Sequence, residues 1–333
     1  MKASKTFQSA VAADFVSFIS LKQALGRHFK AQEIILLNLD RFLCEHVKSF
    51  PDLNADTFKQ WCQTMESLSS NTRLNRMRTV RNFCLYRKRT IPDCFVPDPT
   101  QFPQADPGVQ PYMFSDIEVA NLLTHSGSIS DSPRSPFRAA ATRLAIILLY
   151  TTGLRRGELL RLNRSDYNYL EQTLTIRTSK FYKSRILPLP DDVAMEVKKY
   201  LKMQQPVRPR LSIDSPLIYS AYCGGRPYSS TQLRKNLHIL FNQAGIKKAD
   251  GKLPRIHDFR FSFAVNALLR YYRNGVDVQS KLPFLAAYMG HVSIVSTYHY
   301  LRFIAPLATL ASSVFAASYG DLVREPEEVC HEI

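Results

Sequence analysis

Apolar residues recur at helical spacing from Phe15 to about Arg89, as in Ile34, Ile35, Leu37 and Leu39 followed by Phe42, Leu43 and Val47. The pattern predicts a small helical domain over residues 1–95. Its last segment, Asn71 to Arg89, sets Leu74, Met77, Val80, Phe83 and Leu85 among Arg73, Arg76, Arg78, Arg81, Arg87, Lys88 and Arg89. That is a basic helix with an apolar stripe. Such a charge run is either a solvated helix face or a contact for a phosphate backbone. The periodicity then stops. Between Pro92 and Pro111 lie Pro97, Pro99, Pro103 and Pro107 with few apolar residues, which predicts an extended, semi-rigid linker over 96–111.

A second domain is expected to open near Tyr112. Ser115 and Glu118 have the spacing of a capping box ahead of Val119, Leu122 and Leu123. Helical patterns follow over Phe137 to Tyr150, Arg156 to Leu162, Asp192 to Lys202, Thr231 to Ala244, Arg260 to Arg270 and Lys281 to Gly290. One stretch departs from them. Thr173 to Arg177 alternate, and Arg185 to Leu189 resume after a polar turn at Lys180 to Ser184, which reads as a β-hairpin. The expected fold class is mainly α with a small β-hairpin or sheet (α+β).

Charge narrows the function. A chain of 333 residues with 45% hydrophobic content can bury two cores, and its formal net charge of +16 favours a polyanionic partner, either nucleic acid or an anionic membrane. A membrane span needs roughly 18 or more consecutive apolar residues, and the richest run, Leu144 to Tyr150, is far shorter. Lys2 and Lys5 are followed by Asp14 and Lys22 rather than by an apolar signal core. The expectation is a cytoplasmic, nucleoid-associated protein with no membrane partner. Cys44, Cys62, Cys84, Cys94, Cys223 and Cys330 form no C-x-x-C pair and are expected to be free thiols.

Four segments of the second domain carry candidate chemistry. The first is Thr151-Thr152-Gly153-Leu154-Arg155-Arg156-Gly157-Glu158-Leu159; the second is Lys180-Phe181-Tyr182-Lys183-Ser184-Arg185-Ile186-Leu187-Pro188-Leu189. The third is His257-Asp258-Phe259-Arg260-Phe261, and the fourth runs from Met289-Gly290-His291 through Thr297-Tyr298-His299-Tyr300-Leu301. In order and separation they resemble the tyrosine recombinase (phage integrase) family over residues 112 to 317. They are similar to its T-G-L-R-x-x-E-L, K-x-x-K-x-R-x-x-P-L, H-x-x-R and G-H-x-x-x-x-x-T-x-x-Y segments.

The resemblance implies a helical, SAM-like core-DNA-binding domain and a catalytic domain that together close on double-stranded DNA as a C-shaped clamp. Residues 318–333 would form a tail. It implies DNA cleavage and rejoining through a 3′-phosphotyrosine, with no cofactor and no metal. Arg155 and Arg260 are the expected phosphate clamps, since a guanidinium grips two phosphate oxygens in a fork, and Glu158 is the expected support for Arg155. His257 shares a helix face with Arg260 and is the expected general base; His291 is expected to stabilise the transition state. Lys180 is the expected general acid, with Lys183 the competing candidate and otherwise a DNA contact. Tyr300 is the expected nucleophile, a phenol of ordinary pKa about 10 that needs neighbouring cations; Tyr298 is the alternative. Phe261 stands where the family often has a second histidine, so a supporting contact is expected to be missing. His257, Asp258, His291 and His299 are metal-ligand types, but the flanking arginines would repel a cation.

DNA contacts are expected at Arg73, Arg76, Arg81, Arg87 and Lys88. Family members work as tetramers, so a homotetramer in the synaptic complex is expected, with a helix around Leu307, Leu310, Val314 and Leu322 as a subunit contact. The ending resembles mobile-element enzymes. Alternatives are a type IB topoisomerase or telomere resolvase, and a catalytically silent DNA-binding regulator on the same fold.

Overall fold

The structure is a computed structural model that describes residues 6–46, 52–106, 110–131, 135–177, 184–205, 212–220, 226–291, 293 and 295–301. The chain divides into two compact units, Met1–Val109 and Gln110–Ile333.

The first unit is built from α1 (Ala12–Ala24), α2 (Lys30–Glu45), α3 (Ala55–Gln63) and α4 (Ser70–Arg87). Phe15, Phe18, Leu36, Leu39, Trp61, Val80 and Phe83 are fully buried between them, so each helix turns its apolar stripe inward. Asn54 caps α3 by accepting from the Thr57 backbone N–H at 2.9 Å. The proline-rich segment departs from the expected linker. Phe95, Val96 and Phe102 pack against this core, Pro99–Gln101 form a 3₁₀ turn, and Arg81 Nε donates to the Pro97 carbonyl at 3.1 Å. Prolines forbid a helix here but do not stop aromatic neighbours from seeking apolar cover.

The second unit holds α5 (Asp116–His125), α6 (Arg138–Thr152), α7 (Arg156–Leu159), β1 (Tyr167–Asn168), β2 (Thr173–Ile176), β3 (Arg185–Pro188), α8 (Asp191–Gln204), β4 (Tyr219–Ser220), β5 (Arg226–Pro227), α9 (Ser230–Gln243), α10 (Ile256–Arg273), α11 (Val278–Met289) and α12 (Val295–Leu301). The capping box at Ser115 and Glu118 is formed, with both reciprocal hydrogen bonds. β2 and β3 pair antiparallel in the register Thr173↔Pro188 to Ile176↔Arg185. A two-residue β1 extends the pair to a three-stranded sheet, and β4 pairs with β5; strands this short carry no alternation that a sequence pattern can register.

α10 runs through the middle of this unit. It packs on α6, α11 and α12, and buries residues on every side, including Phe259, Arg260, Phe261, Ala264 and Leu268. It begins at Ile256, so both His257 and Arg260 stand on it, as the H-x-x-R segment implies, although the apolar pattern marks it only from Arg260. Ser262 Oγ accepts from the Phe114 backbone N–H and donates to the Asp258 carbonyl, both at 2.9 Å, while Phe114 stacks on Phe259. Cys44, Cys62, Cys84 and Cys94 are free thiols. The residues expected to form a helix after Tyr300 lie outside the described residues. Among the described residues no helix is long and apolar enough to cross a membrane.

Candidate active site

The site gathers where three helix boundaries meet the small sheet. α6 ends at Gly153, whose φ of +61° lets the chain reverse, and a Cβ there would overlap the Phe263 ring. Arg155 follows at the start of α7. Its Nη1 donates to Glu158 Oε1 at 2.7 Å, its backbone N–H to Glu158 Oε2 at 3.0 Å, and its Nη2 to the Gly290 carbonyl at 2.8 Å. Glu158 is 3% exposed. The same carboxylate accepts from Arg185, the first residue of β3, through Nη2 at 2.9 Å and Nη1 at 3.3 Å. Arg185 Nε donates to the Tyr288 carbonyl at 2.8 Å, and its guanidinium fills the place a Cβ on Gly290 would need, 2.6 Å from Nη1.

Arg185 is the residue that sequence reasoning passed over. It stood in the quoted hairpin segment, but only the tertiary fold shows that it shares Glu158 with Arg155. One buried carboxylate thereby holds two guanidinium groups and ties the hairpin to the turn before His291.

Arg260 lies 1% exposed in the next layer. Nη1 donates to the Gly153 carbonyl at 2.6 Å and Nη2 to the Met289 carbonyl at 2.8 Å, so both helix ends orient it. Burial, then the neighbouring Arg155 charge, pulls its pKa down to about 10, against the opposing effects of the Tyr300 and Glu158 charges and of a hydrogen bond shared with Tyr300. It remains a cation at neutral pH.

Tyr300 is 6% exposed, on α12. Its ring stacks parallel to His291 at 5.9 Å and tilts against Phe261 at 5.3 Å. The position expected to lack support thus supplies it, as an apolar wall rather than a hydrogen bond. His291 Nδ1 lies 2.8 Å from the fully buried Thr297 Oγ1, and desolvation followed by Arg260, Arg155 and Arg185 pushes the His291 pKa down to about 4. The pKa of His257, whose side chain is exposed, is also lowered, first by desolvation, then by Arg260 and Arg255. Tyr298 shares α12 with Tyr300.

Arg155, Glu158, His257, Arg260, His291 and Tyr300 are therefore brought together. Lys180 and Lys183 lie outside the described residues. In the first unit, Lys88 is exposed and Arg73, Arg76 and Arg81 half-exposed on α4 and its end. Arg87 is different. It is 5% exposed and donates to Asp14 at 2.7 Å and through both Nη atoms to Asp52 at 2.9 Å. Its helical position turns it into the core, where carboxylates rather than DNA claim it. Among the described residues no group of three or more His, Cys, Asp and Glu side chains could hold a metal ion.

The model of the Phage integrase family matches residues 119–304. The chain is 28% identical over 298 residues to y4rB of Sinorhizobium fredii, named as an integrase/recombinase, covering 89% of this chain and 92% of that one. It is 32% identical over 165 residues to the tyrosine recombinase XerA of Pyrococcus furiosus, about half of each. A XerH site-specific recombinase solved with a palindromic difH substrate, in a post-cleavage complex, shares the fold. The TM-score is 0.60 at 19% identity, over 85% of this chain and 78% of that one.

Proposed function

Because the chain belongs to the phage integrase family, we propose that it performs site-specific DNA recombination with Tyr300 as the nucleophile. The observation that carries the reading is the hydrogen bond between the Arg260 guanidinium and Tyr300, beside Arg155 and His291. That arrangement sets a hydroxyl nucleophile among fixed cations, which is what attack on a phosphodiester requires.

The Tyr300 oxygen attacks a DNA phosphorus, the P–O5′ bond breaks, and a 3′-phosphotyrosine forms. His257 takes the phenol proton, and its lowered pKa keeps it neutral and able to accept. Lys180 protonates the departing 5′ oxygen. Arg155, Arg260 and His291 stabilise the extra negative charge of the pentacoordinate phosphorus; with Nδ1 accepting from the Thr297 hydroxyl, the ring proton of neutral His291 sits on Nε2, which donates. A 5′-hydroxyl from the partner strand then attacks the phosphotyrosine and the steps reverse. One phosphodiester is exchanged for another, so no nucleotide cofactor is consumed.

Arg73, Arg76, Arg81, Lys88 and Lys183 would add backbone contacts; Arg87 is left out, given its burial. Double-stranded DNA is the partner, a homotetramer the synaptic form, the nucleoid the location, and a clamp of two domains the manner of binding.

The test is incubation of wild type and Tyr300→Phe with labelled duplexes, including nicked suicide substrates, in metal chelator, followed by denaturing gels. A protein–DNA adduct from wild type only is expected. An adduct persisting in Tyr300→Phe would overturn the nucleophile; tight binding without any adduct would favour a silent regulator.

A further inference from the structure

Beside the site lies a second concentration of positive charge. A recess of about 550 Å³ opens where α7, α9 and the start of α10 converge. Its polar lining is Arg155, Arg156, Arg234, His238, Arg255 and His257, and the rest is glycine, proline and aliphatic. Among the described residues no Asp or Glu lines it. Four guanidinium groups around one hollow repel each other, and an arrangement of this kind is stabilised when an anion enters.

The recess is built rather than incidental. The fully buried Asp258 accepts from Arg255 Nε at 3.2 Å and Nη2 at 2.8 Å, which sets the plane of that guanidinium. Glu158 does the same for Arg155. Arg234 and His238 are one helical turn apart on α9 and so present one face. Burial and the Arg234 charge lower the His238 pKa, so it enters as a neutral hydrogen-bonding group. Arg156 and Arg234 are exposed and, among the described residues, make no ion pair with a carboxylate.

Arg155 and His257 belong both to this recess and to the proposed catalytic cluster. An anion in the recess therefore sits beside the scissile phosphate. We propose that Arg156, Arg234, Arg255 and His238 form a second phosphodiester subsite, which grips the DNA backbone next to the phosphate under attack. The proposal rests on the recombinase reading. Its role is register: holding the neighbouring phosphodiester fixes which phosphorus meets Tyr300, a contact that positions without reading sequence.

Arg156→Ala, Arg234→Ala and the double variant test it, since both side chains are exposed and their loss leaves the core intact. Lys199→Ala, an exposed cation on α8, is the control. Affinity of the full chain for a 30-base-pair duplex would be followed by fluorescence anisotropy across 50–200 mM salt. Each lost contact should reduce the slope of log K against log salt by about 0.9 and weaken binding roughly five- to tenfold at 0.1 M. The control should match wild type. Slopes unchanged in the double variant, with wild type binding normally, would overturn the subsite alone. Wild type that fails to bind duplex at any salt would overturn the recombinase reading itself.

Discussion

At Glu158, two guanidinium groups share one buried carboxylate, and the chemistry of the site is decided by what that leaves over. Arg155 and Arg185 bond that one carboxylate while Arg260 bonds backbone carbonyls, so the cluster keeps a surplus of positive charge for a phosphate. The same surplus depresses His291. Its folded pKa of about 4 lies below the ordinary 6.5, so the folded protein binds fewer protons than the unfolded chain between those values. The stability this contributes is fully present above pH 6.5 and is lost as pH falls toward 4. Urea unfolding from pH 7 to pH 4 should show that loss, and His291→Gln should flatten it. An equal slope in the variant would mean other groups carry the acid sensitivity.

The elements matter through their ends. α6 stops at Thr152 and α11 at Met289, and the Gly153, Met289 and Gly290 carbonyls at these two C-terminal ends orient Arg155 and Arg260, the latter standing on α10. Helix C-termini have carbonyls without intrahelical partners, and here arginine side chains satisfy them. Gly153→Ala should therefore cost stability and geometry together. The left-handed φ and the overlap with Phe263 amount to about 2–4 kcal/mol, measurable as a lowered denaturation midpoint. The capping box and most helices of the second unit were legible, since cap chemistry and 3.6-residue periodicity are local. The start of α10 was not legible in its apolar period. A helix buried on all sides has no polar face, so its period fades, and the signal left was the H-x-x-R segment itself.

The whole molecule comprises two units with separate cores. In the first, Arg87 joins α4 to Asp14 on α1 and to Asp52. Arg87→Met keeps the volume and removes the charge; because both carboxylates are partly exposed, the loss should be about 1–3 kcal/mol, below that of a fully buried pair. Denaturant unfolding should show two transitions, one lowered by Arg87→Met and the other by Gly153→Ala. A single transition shifted by either change would show that the units unfold as one.

The family resemblance implied Arg155, Glu158, His257, Arg260, His291 and Tyr300 as the set of site residues, while local spacing by itself determined the helical and hairpin pattern and the motifs behind that resemblance. These depend on residues within a few positions of each other, where periodicity and motif order are visible. Tertiary structure alone decided which basic residues face which partner. Arg185 and Arg87 sit in the same kinds of sequence context as solvated arginines, yet one is drawn to a carboxylate 27 positions away and the other to carboxylates 35 and 73 positions away. The cost of burying an unpaired charge makes such pairs obligatory once the fold has formed, and that cost exists only when distant segments have already been brought together.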